Sequence, residues 1–328
     1  LSPAVAGTPG VVFAISLLGS AAALVAWRGV GWIRGGMLAC IVPSVIIAAI
    51  LIFGFTRLHA TATQPAQKIA VGMLAIDDFT GGRVPKTVAD KVWQRYVDSV
   101  GELKAKGAQL ILFPEKIEVL KSEDAERRTK ALAGAAQTNA VYVAAGAGVP
   151  EGGKLFNRVW LFDPTGKAAA QYDKRKLVPG LEHEFTPGDV WVTAEIEGLR
   201  YGLAICKDLH FPSVGRAYGQ LGVDAMLDPA WDFDLDAWMA ARMTAVRGIE
   251  SGFSIIRASR QGLLNITDHR GVRLAETASA KLPGHVLVAE MAIPRGAPTF
   301  YAEFGDVFGW ACVALAIVGR FLRARLTA

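Results

Sequence analysis

Two long apolar runs near the start of the chain constrain its folding more than any other feature. Residues 11–27 carry no charge and are interrupted only by small residues such as Ser16 and Ser20, and residues 37–55 form a second run broken mainly by Pro43 and Ser44. Each is close to the roughly 20 residues that a helix needs to cross a bilayer. Trp27 and Trp32 fit an interfacial belt. A cleaved signal peptide would explain the first run alone, but the second follows after only a short loop, so both are expected to be membrane helices. Val307–Leu322 is a third, weaker candidate. It is short and holds Arg320, which would have to snorkel to the interface, so it reads as a transmembrane or interfacial helix. The runs explain why 52% of the residues are hydrophobic, too many for an ordinary soluble chain of 328 residues.

Charge is distributed to match. No Asp or Glu precedes Asp77 or follows Asp306, and six Arg occupy those ends: Arg28, Arg34, Arg57, Arg320, Arg323 and Arg325. The middle is left with 29 Lys plus Arg against 30 Asp plus Glu. The basic excess therefore lies beside the membrane segments, with no basic stripe of interleaved aromatics, and no nucleic-acid partner is expected. The positive-inside rule puts the Arg28/Arg34 loop and the tail after Arg320 in the cytoplasm. Two crossings upstream and one downstream then place the middle on the other side. The expected location is a bacterial inner membrane, with the domain facing the periplasm or exterior. The chain starts with Leu, so residues upstream are expected and the span count is a lower limit.

The expected organisation is two transmembrane helices in residues 1–57, a tether over 58–67, one catalytic domain over 68–300, and a C-terminal helix with a basic tail over 301–328. Within the domain, strands are expected at 68–77, 109–114, 141–145, 155–163, 168–172, 190–197, 200–206, 223–227, 253–258, 263–267, 272–276 and 286–292. Val88, Val92, Tyr96, Val100 and Leu103 recur at helical spacing over 87–106. Further helices are expected from Ser122 as a cap, after Phe211, and over 235–252. The pattern alternates helix and strand, then becomes strand-rich.

Three polar residues end or follow apolar strands. Glu115 closes Leu110-Ile-Leu-Phe-Pro-Glu115, Lys174 sits in Tyr172-Asp-Lys174, and Cys206 closes Tyr201-Gly-Leu-Ala-Ile-Cys206. A thiol attacks a carbonyl or nitrile only as thiolate. A carboxylate whose pKa burial has raised can take that proton, and a nearby ammonium favours the thiolate and stabilises an oxyanion. Each residue alone has a plainer reading: a packed Cys, a solvated loop Glu, a surface Lys. Cys206 is the only Cys of the middle region, since Cys40 and Cys312 fall in the apolar ends. No metal-ligand pattern or Gly-rich phosphate loop is present, so no metal or cofactor is expected. His210 lies four residues after Cys206 and reads as a neighbour.

In this order these segments resemble the nitrilase superfamily of carbon–nitrogen hydrolases and acyltransferases, over about residues 68–292. The carriers are Leu112-Phe-Pro-Glu115, Tyr172-Asp-Lys174 with Leu177-Val-Pro179, Phe185-Thr-Pro-Gly-Asp189, and Ala204-Ile-Cys206 with Phe211-Pro212. The resemblance implies a nitrilase-like αββα sandwich domain, here flanked by transmembrane helices. It also implies Glu115 as base, Lys174 as oxyanion stabiliser and Cys206 as nucleophile, with Glu182 as the family's second glutamate. Asp208 is expected to tune the site. The flanking apolar runs, and Ala245-Val-Arg-Gly-Ile-Glu-Ser-Gly252 with Thr267-Asp-His-Arg-Gly271, are most similar to the apolipoprotein N-acyltransferase branch. That branch implies acyl transfer from a phospholipid to a lipoprotein's N-terminal amine through a Cys206 thioester.

Trp231 and Phe233 are then candidate substrate-binding walls, whereas Trp238 and Met239 read as ordinary helix packing. A membrane-tethered amidase or nitrilase acting on a small amide or nitrile is the alternative, drawing on Asp208 and Phe211-Pro212 and on the mere two residues between Glu182 and Phe185. A silent binding module is the third reading, and it requires Glu115 or Lys174 to point away from Cys206. The oligomeric state is left open.

Overall fold

The computed structural model describes residues 3–28, 37–59, 66–78 and 84–326. The loop around Arg34 and most of the expected tether fall outside the described residues, as do the side chains of the basic tail after Leu322. In chain order the elements are α1 (Pro3–Arg28), α2 (Met37–His59), β1 (Gln67–Ala75), α3 (Lys86–Ala105), β2 (Leu110–Leu112), α4 (Ser122–Asn139), β3 (Tyr142–Glu151), β4 (Lys154–Phe162), β5 (Ala168–Asp173), β6 (Thr193–Ile196), β7 (Leu199–Leu203), α5 (Pro212–Gln220), β8 (Ala225–Trp231), α6 (Ala237–Ser251), β9 (Ser254–Arg260), β10 (Leu263–Thr267), β11 (Arg273–Ala278), β12 (His285–Ile293), α7 (Phe300–Phe304) and α8 (Val307–Leu326). They divide into two units: Leu1–Thr61 with Pro298–Ala328, and Ala62–Ala297.

The first unit holds α1, α2, α7 and α8. Two stretches, Pro3–Trp27 and Ile41–His59, are long and apolar enough to cross a membrane, and hardly any of either is buried within the protein. A core helix of a soluble domain would be buried. Here Ile15, Leu51 and Ile52 are all about two-thirds exposed. Gly7 breaks α1 with φ 61°, and a Cβ there would overlap the buried Tyr301 ring. Phe13 meets Phe308 of α8 edge-on at 5.4 Å.

The second unit is a four-layer αββα sandwich. One six-stranded sheet runs β12-β1-β2-β3-β4-β5 and the other β11-β10-β9-β8-β7-β6. In each, a parallel centre (β1-β2-β3 and β7-β8-β9) is flanked by antiparallel strands. Strand alternation explains the layers. Ile69, Val71 and Met73 of β1 join Leu110 and Leu112 of β2 and Leu203, Leu227 and Ile256 of the other sheet in the central core. Leu74, Ile111, Phe113 and Val143 point the other way, onto Val92, Tyr96, Val100 and Leu132 of α3 and α4. On the far side Met226 and Ile255 pack with Val214 and Tyr218 of α5. Of the helical face expected over 87–106, Val92, Tyr96, Val100 and Leu103 lie on the buried face of α3, whereas Val88 in its first turn is exposed.

Several boundaries differ from expectation, each for a tertiary reason. Strand β3 continues to Glu151 because β4 pairs with it along its whole length. Strand β8 runs through Pro229 to Trp231, paired with β9. The strand expected at 200–206 stops at Leu203, and Cys206–His210 forms a short 3-10 turn. Lys121, not Ser122, occupies the cap position of α4.

Gly146 of β3 shows how tightly the segment leaving β2 is held. A Cβ there would lie 2.8 Å from the Pro114 carbonyl oxygen and 2.9 Å from the Glu115 Cα, both backbone. Overpacking of this kind costs about 1–3 kcal/mol. Gly146→Ala is expected to lower the melting temperature by several degrees and to displace Glu115. Thermal denaturation checks it, and an unchanged melting temperature would contradict the packing described.

Candidate active site

The polar residues of interest stand at the C-terminal ends of strands in both sheets, where α/β sheets present ligand crevices. From β2, Phe113-Pro114 leads to Glu115; from β5, Asp173 leads to Lys174; from β7, Leu203-Ala-Ile leads to Cys206. The Lys174 backbone is pinned on both sides: its N–H donates to the Asn157 carbonyl (2.8 Å) and its carbonyl accepts from Gly188 N–H (2.9 Å). Glu182 is fixed by a tight loop, its Oε2 accepting from Val178 N–H at 2.8 Å.

These side chains meet in a buried charge cluster. Lys174 Nζ lies 2.8 Å from Glu115 Oε1 and 3.0 Å from Glu182 Oε2. Asn157 Nδ2, from β4, donates to Glu115 Oε1 at 2.5 Å and to Glu182 Oε1 at 2.7 Å. A second lysine, Lys116, reaches Glu182 Oε1 at 2.6 Å and Glu115 Oε1 at 3.7 Å. Glu115, Lys174 and Glu182 are each 1% exposed.

Cys206 is held from below. Its φ is 47°, in the left-handed region that L residues rarely adopt. Such a conformation costs on the order of 1–3 kcal/mol and persists where its surroundings over-determine it. Here Cys206 N–H donates to Asp228 Oδ1 at 2.8 Å. Asp228 is paired with the buried Arg257, which also donates to Asp232 Oδ1 at 2.5 Å. The Cys206 thiol points at the Trp231 carbonyl, 3.5 Å away.

Asp208 joins the cysteine turn to the lysine loop. Its Oδ2 accepts from Tyr172 Oη (2.8 Å) and Ile205 N–H (3.0 Å), and its Oδ1 from the N–H groups of Lys176 (2.7 Å) and Arg175 (3.2 Å). Two of those donors flank Lys174 directly or one residue on, so the carboxylate ties Lys174 to the turn that carries Cys206.

Electrostatics correct one expectation. Burial pushes the Glu115 carboxyl up, but Lys174 and Lys116 and the hydrogen bonds to it outweigh burial and hold it down at about 2. Glu115 is therefore a carboxylate at rest, not a carboxyl raised by burial. Burial and then the Glu115 charge push the Cys206 thiol up to about 12, against Lys174 and Arg257. The resting set is a neutral thiol beside an ionised pair. Burial and the surrounding cations push His210 down to about 4, so it is neutral, and it is absent from the lining of the site.

Glu115, Lys174, Glu182 and Cys206 line one cavity of about 170 Å³, together with Lys116, Val178, Leu181, Phe185, Trp231 and Phe233. The rings of Trp231 and Phe233 lie 4.8 Å apart. Beside Phe233, which is 40% exposed, the chain shows an apolar surface: Leu235 is 97% exposed, Trp238 66% and Met239 58%. The reading of Trp238 and Met239 as helix packing is thus overturned, because both side chains are mostly exposed and the buried face of α6 is formed by Ala240, Ala241, Thr244 and Ala245. Among the described residues, no group of three or more His, Cys, Asp or Glu side chains is placed to hold a metal ion.

All seven site residues expected from the sequence fall in or against this arrangement; Asp208 stands behind the cavity, not in its wall. Sequence reading missed Lys116, Asn157, Asp228 and Arg257. Asp228 left a signal, since it is a polar residue inside an otherwise apolar strand, whereas Asn157 stands next to Arg158 in its strand. Such residues are buried only with partners.

The carbon-nitrogen hydrolase family model matches residues 68–290. Among curated relatives, the apolipoprotein N-acyltransferase of Geobacter metallireducens is 28% identical over 319 residues, covering 84% of this chain and 58% of that protein. An (R)-stereoselective amidase of Pseudomonas sp is 32% identical over 112 residues, covering 34% of this chain and 40% of that protein. The chain thus spans little more than half the length of the first relative. Among solved structures, an amidase from Nesterenkonia sp. AN1 in complex with butyramide superposes with a TM-score of 0.62 at 19% identity, over 74% of this chain and 96% of that one. This likeness shows the fold: the second unit has the nitrilase-like architecture expected from the sequence.

Asp208→Asn turns one oxygen facing N–H and O–H donors into a donor itself. A buried donor left unpaired costs about 1–3 kcal/mol. The variant is expected to melt lower and to react more slowly with thiol reagents at Cys206, because Lys174 loosens. Unchanged stability and unchanged thiol reactivity would remove Asp208 from the site.

Proposed function

The chain belongs to the carbon-nitrogen hydrolase family, and we propose that it is a membrane-anchored N-acyltransferase that carries an acyl group from a phospholipid to an N-terminal amine of a lipoprotein through a Cys206 thioester. In this reading Cys206 Sγ attacks the ester carbonyl and Glu115 takes the thiol proton. Lys174 and the backbone N–H of Lys207 face the oxyanion. The tetrahedral adduct collapses, the C–O bond breaks, and Glu115 returns its proton to the departing alcohol. The acceptor amine then attacks the thioester, Glu115 removes its proton, and the C–S bond breaks as the proton passes back to sulfur.

The resting electrostatics set the timing. A thiol held up at about 12 beside a carboxylate held down at about 2 does not ionise on its own. Proton transfer therefore belongs to the addition step. As the oxyanion develops it draws the Lys174 ammonium from Glu115, and the carboxylate becomes a stronger base at that moment.

The observation that carries acyl transfer over hydrolysis is the pairing of this thiol site with two long, apolar, exposed helices in one chain. The likeness to an acyltransferase supports it, since it covers more of the chain than residues 68–290 can supply, whereas the amidase match is confined to about a third. The exposed Leu235, Trp238 and Met239 next to Phe233 suit contact with acyl chains. In this reading the domain faces the periplasm or exterior of a bacterial inner membrane, which the arginine distribution supports. The convergence of Glu115, Lys174 and Cys206 on one cavity speaks against a silent module.

A second reading rests on the cavity itself. At about 170 Å³ it is smaller than the roughly 300–1,000 Å³ of typical ligand pockets, which favours a small amide or nitrile with water as acceptor. Intact-protein mass spectrometry after incubation in phospholipid micelles decides between the two. The expected result is a fatty-acyl adduct on the wild type, absent from Cys206→Ala, and discharged by a lipopeptide amine. An adduct formed only with short amides or nitriles would replace acyl transfer with hydrolysis.

A further inference from the structure

We propose that Lys116 is a second functional cation of this site, a positioning residue that neutralises Glu182 so that Lys174 is left to serve Glu115 and the oxyanion. Lys116 directly follows Glu115, and its backbone lies in the left-handed region, at φ 45°. That conformation returns its side chain to the cavity instead of projecting it onward along the chain. The ammonium lies 5.1 Å from the centre of the Phe185 ring and 5.3 Å from that of Trp231, and the residue is 9% exposed.

Counting the charges that face it gives the role. Glu115 stands on its own segment, Glu182 and Glu184 on the loop after β5, Lys174 at the end of β5, Cys206 after β7 and Asp232 after β8, with Arg257 and Arg260 on β9, Arg257 held by Asp228 and Asp232 and Arg260 lying over the Trp231 ring. The inner cluster of Glu115, Glu182, Lys174, Lys116 and Cys206 is neutral with the thiol protonated. It stays neutral when the proton moves from sulfur to Glu115, because that transfer happens inside the cluster. Without Lys116 the same pocket carries one net negative charge at every step. Lys174 would then be shared between Glu182 and the developing oxyanion, two anions competing for one ammonium. Burying an uncompensated charge is costly, so Lys116 supports both the fold of the pocket and its chemistry. Glu115 is also freed of part of its negative surroundings: against burial, which raises its proton affinity, Lys174 and then Lys116 hold it down.

The inference rests on the thiol addition common to both readings of the function, so its test uses no substrate. The probe is iodoacetamide. The thiol S–H bond breaks with its proton passing to Glu115, the S–C bond forms, and iodide leaves. Alkylation of Cys206 in the full-length chain is followed by peptide mass spectrometry against pH. Glu115 accepts the proton only while ionised, so the rate falls as pH drops through its pKa, and with Glu115 held down at about 2 in the wild type the series is carried down to about pH 2.5, where the onset of that limb is read.

In Lys116→Gln a cation is lost, Glu115 binds its proton more tightly, and the acid limb moves up by about one pH unit or more, with a tenfold or larger loss of rate at the acid end. Lys116→Arg keeps the charge and is expected to retain the wild-type limb. The double variant Lys116→Gln/Glu182→Gln has a neutral cluster again. It guards against loss of the fold in the single variant and is expected to recover most of the shift. An unchanged acid limb in Lys116→Gln, a limb in Lys116→Arg shifted as far as in Lys116→Gln, or no recovery in the double variant would each overturn the proposal. A failed lipid adduct with these results intact would overturn only the acyltransferase reading.

Discussion

Two carboxylates and two ammonium groups packed out of water between the ends of two sheets are the constraint on which the rest of the second unit depends. Charges of this kind are tolerated in a protein interior only when paired and hydrogen-bonded, and removing one partner of a buried pair costs about 3–5 kcal/mol. The pairing at Glu115, Lys116, Lys174 and Glu182 needs three chain segments delivered to one point within a few tenths of an ångström. Asn157 supplies the neutral donor that bridges both carboxylates. Parallel strands ending together, the short loop closed at Val178–Glu182, and Gly146 beneath Glu115 all serve that delivery.

A second buried network, Asp228–Arg257–Asp232, serves the nucleophile in the same way from the other sheet. It holds the Cys206 N–H and with it a left-handed backbone that would otherwise relax. Asp208 connects the two halves through four hydrogen bonds. The thiol therefore meets a site whose polar groups are already oriented, and addition requires little reorganisation of the protein.

The strands, the first helix of the domain and the three reactive residues were legible in the sequence because each depends on local pattern, whereas the four layers were implied only by the resemblance to the nitrilase superfamily. Apolar alternation marks the strands, the spacing of Val92, Tyr96 and Val100 marks α3, and Glu115, Lys174 and Cys206 each follow or end an apolar strand. What escaped depends on distant partners. Strand β3 runs past Ala145 only because β4 pairs with it, and β8 continues through Pro229 only because β9 does. Lys116 was passed over, since nothing local shows that Glu182, 66 residues away, will sit 2.6 Å from it. The electrostatic sign at Glu115 was misread for the same reason: burial was foreseeable, two lysines at one carboxylate were not.

The central claim is that Glu115, not solvent, takes the proton from Cys206. Single-turnover release of p-nitrophenolate from p-nitrophenyl butyrate, with enzyme in excess, tests it most directly, because this leaving group needs no proton. Glu115 held down at about 2 and the thiol held up at about 12 predict a wild-type rate that is flat from about pH 5 to 9. In Glu115→Gln the thiolate must be made by hydroxide, and the rate is predicted to rise about tenfold per pH unit over the same range. Equal pH profiles in the two proteins would contradict the account.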